Sequence, residues 1–485
     1  MAASFTTKVA VQARRWGHFS SSSRGQLRVS NSPFALRQAL HDHANLEGVD
    51  YDLLIVDEYQ DLNKCDLDVL HQISERGCSI IAAGDDDQSI YSFRYAAPEG
   101  IRQFPDHYPG CAQYPLSVTQ RCGQRIVAWA SYVISGDPDR PHDRPALACA
   151  NGSPQGEVAL LSFRGEVAEA GGIAALIRQL IERDHVPAEE ILVLLRGDYR
   201  GTFSRPIKEA LDALGIAYSD PDAVERVLAE PGNRRMLAIF RLLVNERDSL
   251  AWASLFLLTP GIGQTFCDYL YGRARDSHMQ FGEALFAARQ ANFPEAPRSA
   301  ARVRTLMETV RAWLAAHPTP EDMPDDGWGH WMVATASNAV VPAPSPECKE
   351  LLHALDGLVE EGQGFSQFIS QITPLGKDRA LAESHGVRIM TMVGSKGLTV
   401  RATIIAGLED NIVPRPDGDL GEERRLLYVA MTRAKEFLFG TWAGQRSGPT
   451  ARAGRSRVRQ RRQHSRFFVG GPVPSQDGPT YLKNR

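Results

Sequence analysis

The sequence predicts an α/β fold built on parallel sheets, because strand-like and helical segments alternate along much of the chain. Residues 157–162 read as a strand, residues 166–183 as an amphipathic helix and residues 191–195 as a second strand. This order is typical of a parallel crossover unit. A further strand is predicted at residues 53–56, where four consecutive apolar residues suit an inner strand that is covered on both faces.

Two carboxylates directly follow this first strand, and they are candidates for metal and water chemistry. Ligands of open α/β sheets gather at the carboxyl ends of the strands. Asp57 would hold Mg²⁺ directly or through water, and Glu58 would orient and deprotonate an attacking water. The alternative is a strand end with solvated acids, since an apolar run followed by Asp-Glu is common.

A second polar block follows the next strand-like run at residues 79–83. Residues 84–94 read Gly-Asp-Asp-Asp-Gln-Ser-Ile-Tyr-Ser-Phe-Arg, and residues 57–61 read Asp-Glu-Tyr-Gln-Asp. Together the two blocks resemble motifs III and II of the UvrD/Rep family of superfamily 1 DNA helicases. The resemblance implies two RecA-like domains of the P-loop NTPase type, the first of them incomplete, with an inserted all-helical subdomain.

The resemblance also implies roles within the second block. Gln88 would sense the γ-phosphate of ATP, while Tyr91, Phe93 and Arg94 would face single-stranded DNA. Stacking of a base on an aromatic ring contributes roughly 1 to 3 kcal/mol per base and tolerates any base sequence. Ordinary core packing is the alternative for the two rings.

Residues 114–121 resemble motif IV, and the resemblance implies that Arg121 contacts the nucleotide. The match is partial, because Thr119 and Gln120 stand where the family has Asn-Tyr and Cys122 where it has Ser. A surface arginine at the start of a helix is the alternative.

Residues 387–400 resemble motif V and retain its Lys-Gly-Leu step at 396–398. By this resemblance Lys396 and Gly397 belong to the nucleotide site and Thr391 to the DNA path. The family's histidine and its sugar-contacting glutamate are replaced here by a valine and a threonine, so weaker recognition of the nucleotide sugar is expected.

Residues 422–435 fit motif VI with almost no departure and would supply Arg433 as an arginine finger. A guanidinium keeps its charge and directs two donors onto phosphate oxygens, which stabilises charge on a transferred phosphoryl group. The alternative is an amphipathic helix with charged pairs at helical spacing.

The family's phosphate loop, of the form G-x-x-G-x-G-K-T, is not found before motif II. The glycines there, Gly17, Gly25 and Gly48, are isolated, and no Gly-Lys-Ser or Gly-Lys-Thr accompanies them. Backbone N–H groups of such a loop hold the phosphates, so we expect weak or absent hydrolysis by this chain alone. The chain is either a fragment or mispredicted gene product, or a shortened family member whose site is lost or completed by another chain.

Intact family members use ATP and Mg²⁺ to step 3′ to 5′ along single-stranded DNA and to open the duplex at single/double-strand junctions. The resemblance therefore implies an ATP-dependent DNA helicase acting in DNA repair or recombination, with a repair or replication protein as a partner. A non-catalytic DNA-binding or regulatory module derived from such a helicase is the alternative function.

The resemblance also predicts the domain organisation. The predicted segments are an N-terminal remnant or disordered segment at 1–49, a partial first RecA-like domain at 50–135, the first part of a second RecA-like domain at 146–235, a helical insert at 236–384, the second part of that RecA-like domain at 385–470, and a tail at 471–485. Within the insert, Gly261 and Gly263 resemble a turn that touches duplex backbone in the family. A plain interhelical turn is the alternative.

Composition agrees with a large protein of several domains and gives no sign of membrane insertion. The 485 residues are 43% hydrophobic, which suffices for sizeable cores, and no apolar run reaches the eighteen or so residues of a membrane span. The net charge of −4 requires any DNA surface to be local, for example the arginine-rich residues 452–466, for which a disordered, solvated tail is the alternative. Seven cysteines, none closer than eleven residues to the next, favour reduced thiols in the cytoplasm.

Overall fold

The computed structural model describes residues 36–37, 40–41, 51–91, 99–141, 144, 147–277, 279–336, 339–359, 362–382, 386–455 and 460–485. Almost all of the predicted segment 1–49, and also Phe93 and Arg94, lie outside the described residues. The chain forms two compact units, one made of Met1–Pro221 with Glu383–Arg485 and the other of Asp222–Ala382.

The strands and helices are numbered in chain order. The strands are β1 Leu53–Val56, β2 Ser79–Ala82, β3 Val118–Thr119, β4 Ala148–Cys149, β5 Glu157–Phe163, β6 Ile191–Leu195, β7 Tyr218–Ser219, β8 Val387–Thr391, β9 Val400–Ala406, β10 Ala434–Ala443 and β11 Ser475–Asp477. The helices are α1 Lys64–Ser74, α2 Glu99–Arg102, α3 Phe104–His107, α4 Gln124–Ile134, α5 Glu166–Glu182, α6 Ser204–Asp212, α7 Ala223–Ala229, α8 Pro231–Val244, α9 Ser249–Leu258, α10 Gly263–Asp276, α11 Phe281–Gln290, α12 Ala300–Ala316, α13 Gly327–Thr335, α14 Pro346–Asp356, α15 Phe365–Ala382, α16 Leu420–Met431 and α17 Gly478–Asn484.

A seven-stranded sheet organises the first unit, with the strand order β11-β5-β10-β9-β6-β8-β7. Every neighbouring pair in it is parallel. Helices α5 and α6 pack on one face through residues such as Ile173 and Ile207, while α4 and α16 pack on the other through Trp129 and Leu427. The predicted α/β class with parallel sheets is thus confirmed, and the strand and helix predicted at 157–183 lie within one residue of their observed ends.

Strands β1 and β2 form a separate parallel pair, and the structure corrects one expectation about it. Leu54 and Val56 are buried in one cluster with α1, whereas Leu53 and Ile55 are 47% and 52% exposed. The expectation that β1 is covered on both faces is therefore wrong for the described part of the chain. Helix α1 packs on one face only, so the four apolar residues alternate between buried and exposed positions.

Helix α4 lies in the segment 50–135, for which the resemblance predicts a partial first RecA-like domain. Its apolar face instead packs against the seven-stranded sheet, where Trp129 shares a core with Leu160, Leu438 and Phe468. We therefore describe α4 together with the seven-stranded sheet.

In the residues that the structure describes, the second unit is helical and comprises α7 to α15 around its own apolar core. It begins at Asp222, fourteen residues before the predicted start of the insert at 236, because the apolar side chains of α7 belong to the same core. Within the described residues, no helix combines the length and the apolar character that a membrane crossing requires.

Residues 471–485, predicted as a tail, are part of the first unit's sheet. Strand β11 pairs in parallel with β5, and α17 follows it. The side chain of Arg485 is 3% exposed and forms ion pairs with Glu157 and Asp184. This segment therefore covers the β5 edge of the sheet.

Candidate functional site

The carboxyl end of β1 presents Asp57 and Glu58 in different environments. The Asp57 side chain is exposed, and its Oδ1 accepts the N–H of Glu58 at 2.8 Å. Glu58 has a left-handed backbone with φ of 52°, an uncommon conformation for this residue type. The chain then turns into the short 3₁₀ helix Tyr59–Asp61, and the Tyr59 N–H donates to the carbonyl of Ala83 at 2.9 Å. Glu58 thus occupies the N-cap position of this helix.

Gln60 connects motif II to motif III through its side-chain amide. Its Nε2 donates to Glu58 Oε2 at 2.5 Å, and its Oε1 accepts the N–H of Asp85 at 3.0 Å. A Cβ atom at Gly84 would lie 2.6 Å from the same Oε1, so only glycine fits at that position without a shift. Gln60 thus fixes the two strand ends relative to each other.

Arg433 lies at the end of α16 and is 2% exposed. Its Nε donates to the carbonyl of Val429 at 2.8 Å and its Nη1 to the carbonyl of Leu398 at 3.1 Å. Its Nη2 is 3.4 Å from Oε1 of Gln88, so the motif III glutamine and the motif VI arginine meet. Burial, together with the nearby charge of Arg121, lowers the pKa of Arg433 to about 10, and the guanidinium stays charged at neutral pH.

Lys396 reaches motifs II and III from motif V. Its Nζ lies 2.8 Å from Oδ1 of Asp61, 2.8 Å from the carbonyl oxygen of Gln88 and 3.3 Å from Oε2 of Glu58. The ring centroid of Tyr91 is 5.2 Å from the same nitrogen, within cation–π range. In this arrangement Lys396 binds acids and a carbonyl of the protein itself.

The other described nucleotide and DNA candidates of the first unit are Arg121, Gly397 and Thr391. Arg121 is exposed, and its Nη1 donates to the carbonyl of Thr432, the neighbour of Arg433, at 3.5 Å. Gly397 is exposed with φ of 89°. Thr391 Oγ1 accepts the N–H of Gly394 at 3.3 Å. Arg121 therefore lies beside the arginine finger candidate.

In the helical unit, Gly261 and Gly263 flank the start of α10, and both have positive φ angles, 82° and 65°. The carbonyl of Gly261 accepts a hydrogen bond from Arg302 Nη1 at 3.2 Å. An α-helix start exposes N–H groups and a positive dipole end, which attract phosphate. Both glycines therefore stand at a helix start, and their contact with duplex backbone stays a prediction.

Sequence reasoning missed several residues that tie the motifs together. Asp61 pairs with Lys396, and Arg425 of α16 donates to the carbonyl of Ser89 at 3.0 Å and to Asp137 at 2.7 Å. Asp61 and Arg425 both lie inside recognised motifs, and this position was the one indication in the sequence that they are functional. Their partners could not be identified, because they are distant in sequence.

Comparison with known proteins supports the motif assignment. Residues 35–109 match the model of the UvrD/REP helicase N-terminal domain, and residues 337–445 match the UvrD-like helicase C-terminal domain. The resemblance to UvrD/Rep-type helicases is therefore confirmed.

Curated UvrD/Rep-type relatives align with most of this chain. It is 25% identical over 415 residues to the ATP-dependent DNA helicase Rep of Buchnera aphidicola, covering 81% of this chain and 63% of that protein. It is 24% identical to the ATP-dependent DNA helicase PcrA of Bacillus subtilis and 27% identical to DNA helicase II of Haemophilus influenzae, covering 81% of this chain and 55% of each relative. The chain thus spans a little over half the length of these relatives.

Proposed function

We propose that this chain provides the ATP-hydrolysing and DNA-translocating site of a UvrD/Rep-type 3′ to 5′ DNA helicase. The observation that carries the proposal is the 3.4 Å approach of Gln88 Oε1 to Arg433 Nη2. A γ-phosphate sensor and an arginine finger must act on the same phosphoryl group, so their proximity is what ATP hydrolysis requires. The matched relatives named as ATP-dependent DNA helicases support the same reaction.

Within this proposal the residues have distinct roles. Asp57 would hold Mg²⁺, since an exposed carboxylate at a strand end suits a metal that otherwise takes water and phosphate oxygens. The ion would neutralise charge on the phosphates during transfer. Glu58 would orient and deprotonate the attacking water, and Arg433 would stabilise charge on the transferred group. Arg121, beside Arg433, would contact the nucleotide.

The proposed DNA path uses the other predicted residues. Tyr91 would stack on bases of single-stranded DNA, Thr391 would contact its backbone, and Gly261 and Gly263 would contact duplex backbone at a junction. We propose a repair or replication protein as partner and a cytoplasmic location. All seven cysteines are free thiols, which suits a reducing compartment.

We further propose that hydrolysis by the pure chain is weak or absent, because its 485 residues provide no Gly-Lys-Ser or Gly-Lys-Thr phosphate loop. The test compares the chain with a fusion in which the phosphate-loop segment of a UvrD/Rep relative precedes residue 51. ATP turnover is measured with and without single-stranded DNA. We expect DNA-stimulated turnover from the fusion and its loss, by about 10²-fold or more, in the fusion with Glu58→Gln.

The outcomes separate the hypotheses. Robust turnover by the pure chain would overturn the proposal of impaired hydrolysis. A folded fusion that binds single-stranded DNA without hydrolysing ATP would instead favour the non-catalytic DNA-binding or regulatory module.

A further inference from the structure

Three consecutive carboxylates in motif III lie against three arginines from other segments of the first unit. The side chains of Asp86 and Asp87 are only 10% and 4% exposed. Carboxylates this deeply buried stay ionised only when they are paired with positive charge. The aspartate–arginine cluster consists of Asp85, Asp86, Asp87, Arg102, Arg140 and Arg144.

Arg102 and Arg140 each contact one carboxylate of the aspartate–arginine cluster. Arg102 Nε donates to Asp86 Oδ2 at 2.7 Å. Arg140 Nε lies 3.0 and 3.1 Å from the two carboxylate oxygens of Asp87. Neither contact reaches Asp85, the residue at the start of the 3₁₀ turn that carries Gln88.

Arg144 differs because its guanidinium contacts all three carboxylates. It donates hydrogen bonds to Asp85 and Asp86, and its Nε is 3.3 Å from Oδ2 of Asp87. Among the described residues, Arg144 is the one arginine that reaches Asp85. A planar guanidinium with five donors can bridge several acceptors in a fixed geometry, which a lysine ammonium cannot do.

Asp85 in turn determines which way the amide of Gln88 points. Gln88 Nε2 donates to Asp85 Oδ2 at 2.7 Å. An ionised carboxylate can only accept hydrogen bonds, so it selects the NH₂ end of the amide. Oε1 is thereby left facing Arg433 Nη2, which can only donate. The opposite orientation would place two donors together at Arg433 and two acceptors together at Asp85.

We propose that Arg144 is a positioning residue for the motif III glutamine. It holds the carboxylate of Asp85, and through Asp85 it keeps Oε1 of Gln88 directed at the arginine finger candidate. The catalytic meaning of this arrangement rests on the proposed function, whereas the arrangement itself does not. The competing explanation is that Arg144 stabilises the fold without influencing the Gln88 side chain.

The experiment observes the Gln88 side chain directly in the full chain labelled with [¹⁵N]glutamine. The Gln88 side-chain amide signals are assigned by their disappearance in Gln88→Ala. We expect Arg144→Gln to shift the signal of the amide proton that faces Asp85 upfield, because its hydrogen bond to a fixed carboxylate is lost. Arg140→Gln is the matched control, since it removes a neighbouring arginine of the same cluster that contacts Asp87 only.

A second variant covers the case in which Arg144→Gln does not fold. Asp85→Asn keeps the shape of the side chain but removes the acceptor-only carboxylate, and it should change the Gln88 signals in the same direction. Unchanged Gln88 signals in folded Arg144→Gln or Asp85→Asn would overturn the proposal, and so would an equal shift in Arg140→Gln. The measurement needs neither ATP nor DNA, so its failure is distinct from failure of the proposed function.

Discussion

The Nζ atom of Lys396 lies 2.8 Å from Oδ1 of Asp61, and this ion pair joins the segment after β8 to the segment after β1. The two side chains are 6% and 7% exposed. The same ammonium donates to the carbonyl oxygen of Gln88 at 2.8 Å. Lys396 therefore fixes motif V against motifs II and III with an interaction that is screened little by solvent.

Replacing Lys396 by methionine should lower the free energy of unfolding by more than the roughly 1 kcal/mol of an exposed ion pair, because the buried carboxylate of Asp61 would lose the charge of Lys396. Urea denaturation followed by circular dichroism measures the loss. Arg466→Ala is the control, since Arg466 is 53% exposed in its ion pair with Asp410 and should cost about 1 kcal/mol or less. Equal losses in the two variants would show that the Lys396 pair contributes no more than a surface pair.

A second buried ionic group lies at the carboxyl ends of β9 and β10. Arg446 Nη2 is 2.7 Å from Glu169 Oε2, its Nε is 2.6 Å from Glu409 Oε2, and all three side chains are at most 5% exposed. Burial raises the pKa of Glu409, while the charge of Arg446 opposes that shift.

Arg446→Met should therefore destabilise the protein by about 3 to 5 kcal/mol, because two carboxylates would lose their shared partner. Adding Glu409→Gln to Arg446→Met should recover part of that loss, since Glu409 would otherwise keep only the more distant Arg462, whose Nη1 is 3.7 Å from Glu409 Oε2. The double-mutant cycle is measured by chemical denaturation. Strict additivity of the two single losses would contradict the shared-partner arrangement.

Local patterns predicted the strands and the motif blocks because they depend on apolar runs and on residues a few positions apart. The positions of Asp57 and Glu58 after β1 and of Gln88 after β2 also followed from sequence, since each polar block comes directly after an apolar strand-like run. The partners of Lys396 and Arg446 could not be predicted, because they lie 37 to 335 residues away in sequence and depend on how the strands are ordered.

Two other features escaped prediction for physical reasons. The apolar run of β1 indicates a strand but does not reveal how many helices cover it, so the exposure of Leu53 and Ile55 was not foreseen. Residues 471–485 contain few apolar side chains, and their attachment depends on hydrogen bonds of β11 to β5 and on the buried Arg485.

Asp87 should make the stability of the protein depend on pH. Burial and the neighbouring Asp85 raise the pKa of Asp87 to about 6, against the opposing charge of Arg140. An unfolded aspartate titrates near pH 3.9, so between about pH 4 and 6 the folded state binds more protons than the unfolded state. The contribution of Asp87 to the free energy of unfolding therefore decreases as pH rises through this window and is constant above it.

Asp87→Asn removes this titration and tests it. The free energy of unfolding of Asp87→Asn minus that of the unmodified protein should increase by roughly 1 to 3 kcal/mol from pH 4 to pH 7. The contact with Arg140 favours the ionised carboxylate, so its effect is already included in the folded-state pKa that sets this slope. Denaturation curves at one-unit pH intervals measure it, and a difference that is flat or falls over this window would contradict the raised pKa.

The two glycines at the start of α10 should differ in their tolerance of a side chain. Both have positive φ, so Gly261→Ala and Gly263→Ala each carry backbone strain of about 1 to 2 kcal/mol. At Gly261 the new Cβ would lie 1.7 Å from Nη1 of Arg302, whereas at Gly263 nothing lies within 4 Å. Gly261→Ala must therefore also displace Arg302 and lose its hydrogen bond to the Gly261 carbonyl.

We expect Gly261→Ala to be the more destabilising of the two by about 1 kcal/mol, which is the net contribution of a typical hydrogen bond. Gly272→Ala, within α10 and with no neighbouring atom near the new Cβ, should stabilise by up to about 1 kcal/mol, because alanine favours the helix. Thermal denaturation of the three variants gives the order. In an Arg302→Ala background, Gly261→Ala should cost less stability than it does in the unmodified protein. If its cost stays the same, the difference between positions 261 and 263 arises from the backbone and not from Arg302.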